Sequence, residues 1–233
     1  MYNDAISQMS GGSIVPDYLC LFDFTGTYEL ANNNQALYLK SSGSFMLDRP
    51  FNAHVFIVGA GAGGQPTSEV PYTRSKSSYA NGGNGGEVIY NDNYLISSGY
   101  HIVDLGEGKN TYFDTDVAIV GGGAIGGIGV DGLGQNGPSY SISGMSFSFA
   151  GSGGAGSSSI VYPGYGGSPG GGNGGYYETN ATSGSYYGAG GGGGLWYWNR
   201  GKSKHYERYS GAGYQGVVCI VAPGITFQKV TYF

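Results

Sequence analysis

The sequence predicts a mainly β fold: a region of short strands followed by a glycine-rich domain of packed polyglycine II helices with loop inserts. Apolar, β-branched runs at 54–58 and 217–221 are typical of strands. No stretch of the chain has helical periodicity. Glycine accounts for 49 of 233 residues and is concentrated in runs, whereas 39% of the residues are hydrophobic and can form a core. The apolar runs favour an ordered chain over low-complexity disorder.

Composition excludes several classes of function. Charged residues make up only 11% of the chain, compared with roughly 25% in an average soluble protein. The formal net charge is −5, so we expect no general attraction to nucleic acid or to an anionic membrane. No stretch approaches the ~20 apolar residues that span a bilayer, and residues 1–4 lack the basic and apolar regions of a secretory signal. We therefore predict no nucleic-acid partner, no membrane insertion and no signal peptide.

The chain divides into four predicted parts. Residues 1–17 are small and polar and are predicted to be an N-terminal arm. Residues 18–53 are predicted to be a β-strand attachment region. Its short runs are 18–22, 36–39 and 44–47, and their separation by turn residues predicts a β-meander. The glycine-rich domain then covers 54–222, and residues 223–233 are predicted to be a C-terminal strand.

The glycine runs lie at 59–64, 82–86, 121–137, 151–156, 164–175, 188–194 and 211–213. Ordering glycine costs more backbone entropy than ordering any other residue, so a rigid run needs a compensating interaction. An extended left-handed helix of the polyproline II type has three residues per turn and no internal hydrogen bonds, which leaves its N–H and C=O groups free to bond neighbouring helices. We therefore predict a bundle of polyglycine II helices, with flexible linkers between strands as the alternative.

Two motifs resemble nucleotide-binding signatures but lack the required context. Residues 55–64 match a strand followed by GxGxxG. Residues 65–71 contain two prolines and no apolar face, so we expect no helix there to hold a pyrophosphate. Gly201-Lys202-Ser203 lacks the first glycine of a phosphate-binding loop, because Trp196 stands at that position.

Candidate catalytic and metal-ligating side chains are scattered. His54, His101 and His205 have no paired ligand spacing. Asp114 and Asp116 lie two residues apart in a predicted strand, on one face, which is typical of a solvated edge. We therefore predict no enzyme, no cofactor and no metal site.

The two cysteines, Cys20 and Cys219, lie in strand-like runs near opposite ends of the chain. The sequence leaves two interpretations open. They are either two buried free thiols or a disulfide that joins the first and last strands.

The segment 195–210 is the predicted contact surface. It contains both tryptophans and four of the ten basic residues of an acidic chain. Trp, Tyr and Arg dominate binding hot spots, and tyrosine-rich loops adapt to many partners. Flat aromatic rings stack on sugars while cations bind acidic groups, so a surface glycan fits as well as an outer protein. The alternatives are that Trp196 and Trp198 cap the glycine bundle, and that the segment stacks on nucleic acid, which the net charge disfavours.

Two further inserts, at 72–79 and 176–187, share this character. If neighbouring glycine helices run back and forth, such inserts emerge at the ends of the bundle and form one composite surface. The predicted contact residues are Tyr72, Arg74, Tyr79, Tyr176, Tyr177, Tyr186, Tyr187, Trp196, Tyr197, Trp198, Arg200, Lys202, Lys204, His205, Tyr206, Arg208 and Tyr209.

The order of strand, glycine run and strand between residues 42 and 222 resembles the glycine-rich domain of phage tail fibres and related surface proteins. The glycine runs with aromatic inserts are also similar to the tip adhesins of T-even-type long tail fibres, and a similar module occurs in the ectodomain of anaplastic lymphoma kinase receptors. The segments that carry the resemblance are Ser42-Gly43-Ser44-Phe45, His54-Val55-Phe56-Ile57-Val58-Gly59-Ala60-Gly61, Gly82-Gly83-Asn84-Gly85-Gly86-Glu87-Val88-Ile89, 99–106 and 211–220.

This resemblance implies an adhesin in a virion tail fibre or on another extracellular surface. The loops at 65–81, 176–187 and 195–210 would be specificity loops that bind a bacterial surface receptor, either a glycan or an outer protein. Residues 1–53 would attach to a fibre shaft or baseplate protein, and a homotrimer is one assembly consistent with this. The strand-rich first third departs from the T-even adhesins. The alternative functions are a structural subunit of an extracellular filament or virion whose loops mediate self-assembly, and a hydrolase of surface polysaccharide.

Overall fold

The computed structural model describes residues 19–67, 78–106, 108–157, 162–177, 179–199 and 204–230. Within these ranges the chain forms sixteen strands and no helix, which confirms the mainly β prediction. The predicted arm at 1–17 lies outside the described residues. The strands are β1 (Leu19–Phe24), β2 (Tyr28–Ala31), β3 (Ala36–Leu39), β4 (Gly43–Leu47), β5 (Phe51–Val58), β6 (Ser78–Tyr79), β7 (Val88–Ile96), β8 (Gly99–Leu105), β9 (Thr111–Phe113), β10 (Asp116–Ala118), β11 (Ser139–Ile142), β12 (Met145–Ser148), β13 (Leu195–Asn199), β14 (Lys204–Arg208), β15 (Val217–Val221) and β16 (Thr226–Lys229).

Two large sheets form a sandwich. The six-stranded sheet has the order β10-β9-β8-β4-β1-β16, and the five-stranded sheet has the order β2-β3-β15-β5-β7. Within them β1 and β16 pair in parallel, and the other neighbours are antiparallel. Phe22, Phe45 and Phe227 of the six-stranded sheet meet Leu37 and Val55 of the five-stranded sheet in one core. The inner faces of the two sheets therefore bury each other.

The centre of the five-stranded sheet is buried on both faces. All five residues of β15 are buried. A second core, on the opposite face from the first, packs Phe56 of β5 against the β11–β12 hairpin, with ring centroids 5.0 Å from Tyr140 and 5.5 Å from Phe147. Burial on both faces explains why residues 217–221 read as a continuous apolar run without the alternation of a half-exposed strand.

The meander prediction for the first strands is wrong. β1 pairs with β4 and β16 in one sheet, whereas β3 pairs with β2 and β15 in the other. A turn with three consecutive left-handed residues, Asn32, Asn33 and Asn34, joins β2 to β3. The strand that pairs with the other edge of β3 comes from residues 217–221, and local spacing carries no signal for such a distant partner.

Both sheets combine strands from the predicted parts 18–53 and 54–222. β16 lies within the predicted C-terminal strand at 223–233 and pairs with β1. The predicted parts 18–53, 54–222 and 223–233 therefore all contribute strands to the same pair of sheets. Their division into functional domains stays a prediction.

Backbone hydrogen bonds from the glycine run at 188–194 recur every three residues. The N–H groups of Gly190 and Gly193 donate to the segment 151–154, with N···O distances of 2.9 Å. Those of Gly191 and Gly194 donate to the segment 62–65, at 3.0 and 3.1 Å. Between them, Gly192 donates to Thr182 at 3.0 Å. Successive N–H groups therefore point to three different neighbours.

The carbonyl groups of the same run accept hydrogen bonds with the same spacing. The acceptors Gly188, Gly191 and Gly194 receive the N–H groups of Gly86, Gly83 and Ala80. Gly190 and Gly193 accept from Gly172 and Gly175, while Ala189 and Gly192 accept from Tyr214 and Gly211. Counting donors and acceptors, six chain segments surround the run, each joined to it by backbone hydrogen bonds.

Close backbone approach explains why so many of these positions are glycine. A Cβ atom on Gly64 would lie 1.9 Å from the carbonyl oxygen of Gly192 and 2.4 Å from its carbonyl carbon. On the adjacent Gly63, the nearest atom to an added Cβ would be the carbonyl oxygen of Gly211 at 3.5 Å, an ordinary van der Waals contact. The two neighbouring glycines therefore differ sharply in how much side chain they can accept.

We expect Gly64→Ala to lower the free energy of unfolding by about 2 to 3 kcal/mol, because the clash is with backbone atoms that cannot rotate away. Gly63→Ala is the matched control and should change stability by less than about 1 kcal/mol, in the stabilising direction if it mainly restricts the unfolded chain. Chemical denaturation of both variants measures the difference. Equal stability of the two variants would contradict the close packing of the glycine runs.

One polar contact joins the two sheets at their edges. The hydroxyl of Tyr94, on β7, donates to Oδ2 of Asp116, on β10, at 3.0 Å. The Tyr94 ring lies 5.8 Å from that of Phe113 at the border of the core. Burial, and then the hydrogen bond to Asp116, raise the pKa of Tyr94 from 10.0 to about 12. The phenol therefore holds its proton more tightly in the folded state than in the unfolded chain.

Tyr94→Phe should lower the free energy of unfolding at neutral pH by about 1 kcal/mol, since it removes this hydrogen bond. Because the folded pKa is raised, the contribution of the phenol is fully present below pH 10 and is lost as the pH rises through about 12. The stability difference between wild type and variant should therefore shrink over that window in urea titrations. A difference that stays constant across the window would show that the phenol does not titrate as a folded-state contact.

Candidate functional site

The predicted contact segment folds into a hairpin, which we name the aromatic hairpin and define as β13 and β14. Its strands pair antiparallel, with Trp198 opposite His205 and Tyr197 opposite Tyr206. The other edge of β13 pairs with β6. Because side chains alternate across a strand, the hairpin presents two distinct aromatic faces.

One face of the aromatic hairpin is a ladder of flat rings. The imidazole of His205 stacks on Trp196, with ring centroids 3.6 Å apart and an interplanar angle of 20°. Trp198 contacts the same imidazole edge-on at 4.7 Å. Both tryptophans are half-buried, so part of each ring faces solvent. Within the described part of the chain, the buried Nε2 atom of His205 has no hydrogen-bond partner.

The opposite face holds the hairpin against its neighbours. The rings of Tyr197 and Tyr206 stack at 5.7 Å, and Tyr177 packs on Tyr197 at 5.6 Å. The guanidinium carbon of Arg208 lies 5.8 and 5.6 Å from the two stacked rings, within cation–π range. Its Nε donates to the carbonyl of Tyr177 at 2.8 Å. Arg208 therefore joins the loop that contains Tyr177 to the hairpin.

Several other predicted contact residues lie beside the hairpin. Tyr79 of β6 pairs with Leu195 of β13, and Tyr209, which is 66% exposed, follows β14 directly. Tyr176 forms isolated bridges with Ser157 and Thr179. Lys204 is the first residue of β14. The predicted contact residues Tyr72, Arg74, Arg200 and Lys202 lie outside the described residues.

Tyr186 and Tyr187 are not brought to the hairpin. Tyr187 is buried in the core on the second face of the five-stranded sheet, and it stacks on Tyr38 of β3 at 6.2 Å. Tyr186 packs against Phe149 in the same region. The two tyrosines therefore belong to a different surface from the aromatic hairpin.

This second surface is a cleft that the sequence analysis did not identify. We name it the tyrosine cleft. It has a volume of about 210 Å³ and is lined by Glu29, Ala31, Tyr38, Ser185, Tyr186, Tyr187 and Tyr214. Its residues come from β2, β3 and two loops far apart in sequence, so only the tertiary fold brings them together. In the local sequence, only the adjacent tyrosines at 186 and 187 indicate a contact surface here.

The two aspartates considered for acid–base chemistry are hydrogen-bonded in place. Asp114 lies in the turn between β9 and β10 with a φ of 52°, rather than in a strand as expected. Its Oδ2 lies 2.6 Å from Nδ1 of the buried His101, and its Oδ1 accepts from the N–H of Ile102 at 2.8 Å. Asp116 accepts from Tyr94. Asp114 therefore ties the β9–β10 turn to β8, and Asp116 ties β10 to β7 of the other sheet.

The glycines of the nucleotide-like motif contact other backbone segments. No helix occurs in the described residues 59–67. A Cβ on Gly61 would lie 2.0 Å from the carbonyl oxygen of Ala189. The backbone of the glycine run at 188–194 therefore packs directly against Gly61.

Both cysteines are free and buried. Cys20 lies in the core between the two sheets, and Cys219 lies in the core on the other face of the five-stranded sheet. A whole sheet therefore separates the two thiols. Burial raises the pKa of both.

No model of a known protein family matches this chain, and a search of curated proteins gives no match. Among the described residues, none belongs to a helix of the length and apolarity required to cross a membrane. The same residues contain no group of three or more His, Cys, Asp or Glu side chains arranged to hold a metal ion.

The contacts of Arg208 predict that the hairpin and the Tyr177 loop are coupled. Arg208→Lys keeps the charge but loses the guanidinium hydrogen bond and its planar packing, so we expect a loss of about 1 to 2 kcal/mol in unfolding free energy. Hydrogen exchange should show faster exchange in residues 176–180. Glu207→Ala, at the exposed neighbouring position, is the control and should change neither quantity. Unchanged exchange in Arg208→Lys would contradict the coupling.

Proposed function

We propose that this chain is a receptor-binding adhesin of the phage tail-fibre type, which binds a bacterial surface receptor through the aromatic hairpin. The observation that carries the proposal is the ladder of Trp196, His205 and Trp198, whose flat rings are packed on one another while still partly open to solvent. Aromatic rings fixed in this way can stack on a sugar or an outer protein with little further loss of conformational entropy.

We further propose that the glycine runs are polyglycine II helices that act as the scaffold. The three-residue recurrence of hydrogen-bond direction along 188–194 supports this, because such helices have three residues per turn. Bonding to six neighbouring segments would make the scaffold stiff, so the loops at its ends would be held before a receptor arrives.

Charge supports a receptor with acidic groups. Arg200, Lys202 and Lys204 lie in the connection and at the start of the second strand of the hairpin, within a chain of net charge −5. A segment that combines aromatic and basic residues would suit acidic glycans of a bacterial surface, since rings can stack on a sugar while cations pair with its acidic groups.

The location of the protein follows from the same proposal. We assign it to a virion tail fibre or another extracellular surface, with a fibre shaft or baseplate protein as its structural partner. The sequence resemblance to tail-fibre glycine-rich domains supports this assignment, and a homotrimer is the assembly we propose.

A second candidate function is a structural subunit that contacts other copies of itself in an extracellular filament or virion. The segment 119–133 favours it, because exposed apolar side chains concentrated in one segment are typical of contacts between proteins. These residues are each at least half exposed: Ile119, Ile125, Ile128, Val130 and Leu133.

Binding of labelled protein to a panel of bacterial strains, measured by flow cytometry, tests the adhesin proposal. We expect a Trp196→Ala, Trp198→Ala, Arg200→Ala variant to lose binding by about tenfold or more while its melting temperature stays close to that of wild type. The double variant Arg200→Ala, Lys202→Ala removes two positive charges and keeps the aromatic rings, so it tests the contribution of charge alone.

Tyr165→Ala, an exposed tyrosine at 49% in another loop, is the control and should bind like wild type. Equal binding of all variants would contradict the assignment of the hairpin. Polymerisation of the pure protein without binding to any strain would favour the structural-subunit function instead.

A further inference from the structure

The tyrosine cleft lies where the sandwich meets the glycine-rich part of the chain. Glu29 and Tyr38 come from β2 and β3, while Tyr186, Tyr187 and Tyr214 come from loops that flank the glycine runs. Its volume of about 210 Å³ is below the range of roughly 300 to 1,000 Å³ typical of sites for drug-sized ligands. The cleft therefore suits a ligand of about one sugar ring.

Four tyrosines build the walls and floor of the cleft. Tyr187 is 8% exposed and lies at the centre, 6.2 Å from the ring of Tyr38, 5.2 Å from Tyr186 and 5.9 Å from Tyr214. Tyr186 and Tyr214 are 37% and 39% exposed, so they present ring surface to the opening. The rings of Tyr186 and Tyr214 are inclined to Tyr187 by 58° and 67°, which gives the cleft concave aromatic walls.

Backbone hydrogen bonds fix these walls relative to the sandwich. The N–H of Tyr214 donates to Ala189 and the N–H of Gly188 donates to Gln215, both at 2.8 Å. The side-chain amide of Gln215 donates to the carbonyl of Lys40, next to β3, at 3.1 Å. The wall residues are therefore held in place without a ligand, which lowers the entropy cost of binding.

The polar groups of the cleft favour a neutral, hydroxyl-rich ligand. Oε2 of Glu29 lies 3.1 Å from Nζ of Lys40, so the two charges offset each other. Burial raises the pKa of Tyr38 and of Tyr186, and it raises the pKa of Tyr187 against an opposing hydrogen bond with Lys40. These three phenols are therefore neutral at physiological pH. That of Tyr186 can both donate and accept a hydrogen bond, whereas those of Tyr38 and Tyr187 already bond to Cys219 and Lys40.

Charged ligands fit this arrangement less well. Among the described lining residues the one charged group, Glu29, is already paired with Lys40, so the cleft offers no unpaired charge to an ion. A quaternary ammonium group would suit an aromatic cage, but Lys40 already carries a positive charge beside Tyr187 and is paired with Glu29.

We propose that the tyrosine cleft is a separate binding site for one neutral sugar ring, with Tyr186 and Tyr214 stacking on its faces. The proposal does not depend on the aromatic hairpin being a receptor site. It adds to this chain a carbohydrate site at the junction of the sandwich and the glycine runs.

The proposal is tested by titrating the full chain with glucose, galactose and N-acetylglucosamine and measuring binding by saturation-transfer NMR. We expect at least one of these sugars to bind in the millimolar range. Tyr186→Ala and Tyr214→Ala should each weaken binding by about tenfold, because each removes one stacking wall. Tyr214→Phe, which keeps the ring and loses the hydroxyl, should weaken it less.

Two further variants show whether the sugar binds at the tyrosine cleft or elsewhere. Tyr165→Ala changes a tyrosine of comparable exposure elsewhere, and Trp196→Ala changes the aromatic hairpin. Tyr165→Ala should leave sugar binding unchanged, whereas binding that is lost in Trp196→Ala and kept in Tyr186→Ala and Tyr214→Ala would place the sugar on the hairpin and overturn the proposal. Binding of choline in place of the sugars, or no sugar signal from the folded protein, would also overturn it.

Discussion

The lateral backbone hydrogen bond between glycine-rich segments is the interaction on which the rest of the structure depends. In a β-sheet a strand bonds to two neighbours, whereas the run at 188–194 bonds to six segments. Such contact requires backbones closer than a Cβ atom allows, because a Cβ added at Gly64 would lie only 1.9 Å from the carbonyl oxygen of Gly192. Glycine loses the most entropy on ordering, so the stability of this region must come from the number of satisfied amides and from tight packing, since few side chains are available to form a core.

The sandwich supplies what the glycine segments lack. Its core between the sheets is rich in phenylalanine, and the second face of the five-stranded sheet packs on Phe147, Phe149 and Tyr187. Two of the glycine runs adjoin strands of this sheet. The run at 59–64 follows β5 directly, and the run at 211–213 lies shortly before β15. The apolar core therefore fixes the ends of segments that have no apolar side chain larger than alanine, and the two kinds of stability reinforce each other.

The sequence was sufficient for local features and insufficient for pairings between distant residues. Apolar β-branched runs at 54–58 and 217–221 predicted strands correctly, because their local composition is independent of partners. The prediction of a meander was wrong because β1 pairs with β16, which lies about two hundred residues further along the sequence. No local pattern encodes the register of such a distant pair. The same limit applies to the sites. The segment of the aromatic hairpin is contiguous, so its composition could be recognised from sequence, whereas the tyrosine cleft joins residues 29 and 38 to residues 186, 187 and 214 through strand pairing and hydrogen bonds between distant segments.

Binding of a receptor through aromatic side chains, as we propose, is consistent with a chain that carries little charge. A long charged side chain loses much rotamer freedom on binding, whereas tyrosine and tryptophan have two side-chain torsions and large flat surfaces. In the aromatic hairpin, even Arg208 is used to hold rings and a loop carbonyl in place. In the proposed adhesin, a stiff backbone scaffold would position such rings accurately. The aromatic content and the glycine content of this chain would then act together, because rings held by a stiff backbone would provide contacts that a chain with 11% charged residues cannot make through charge.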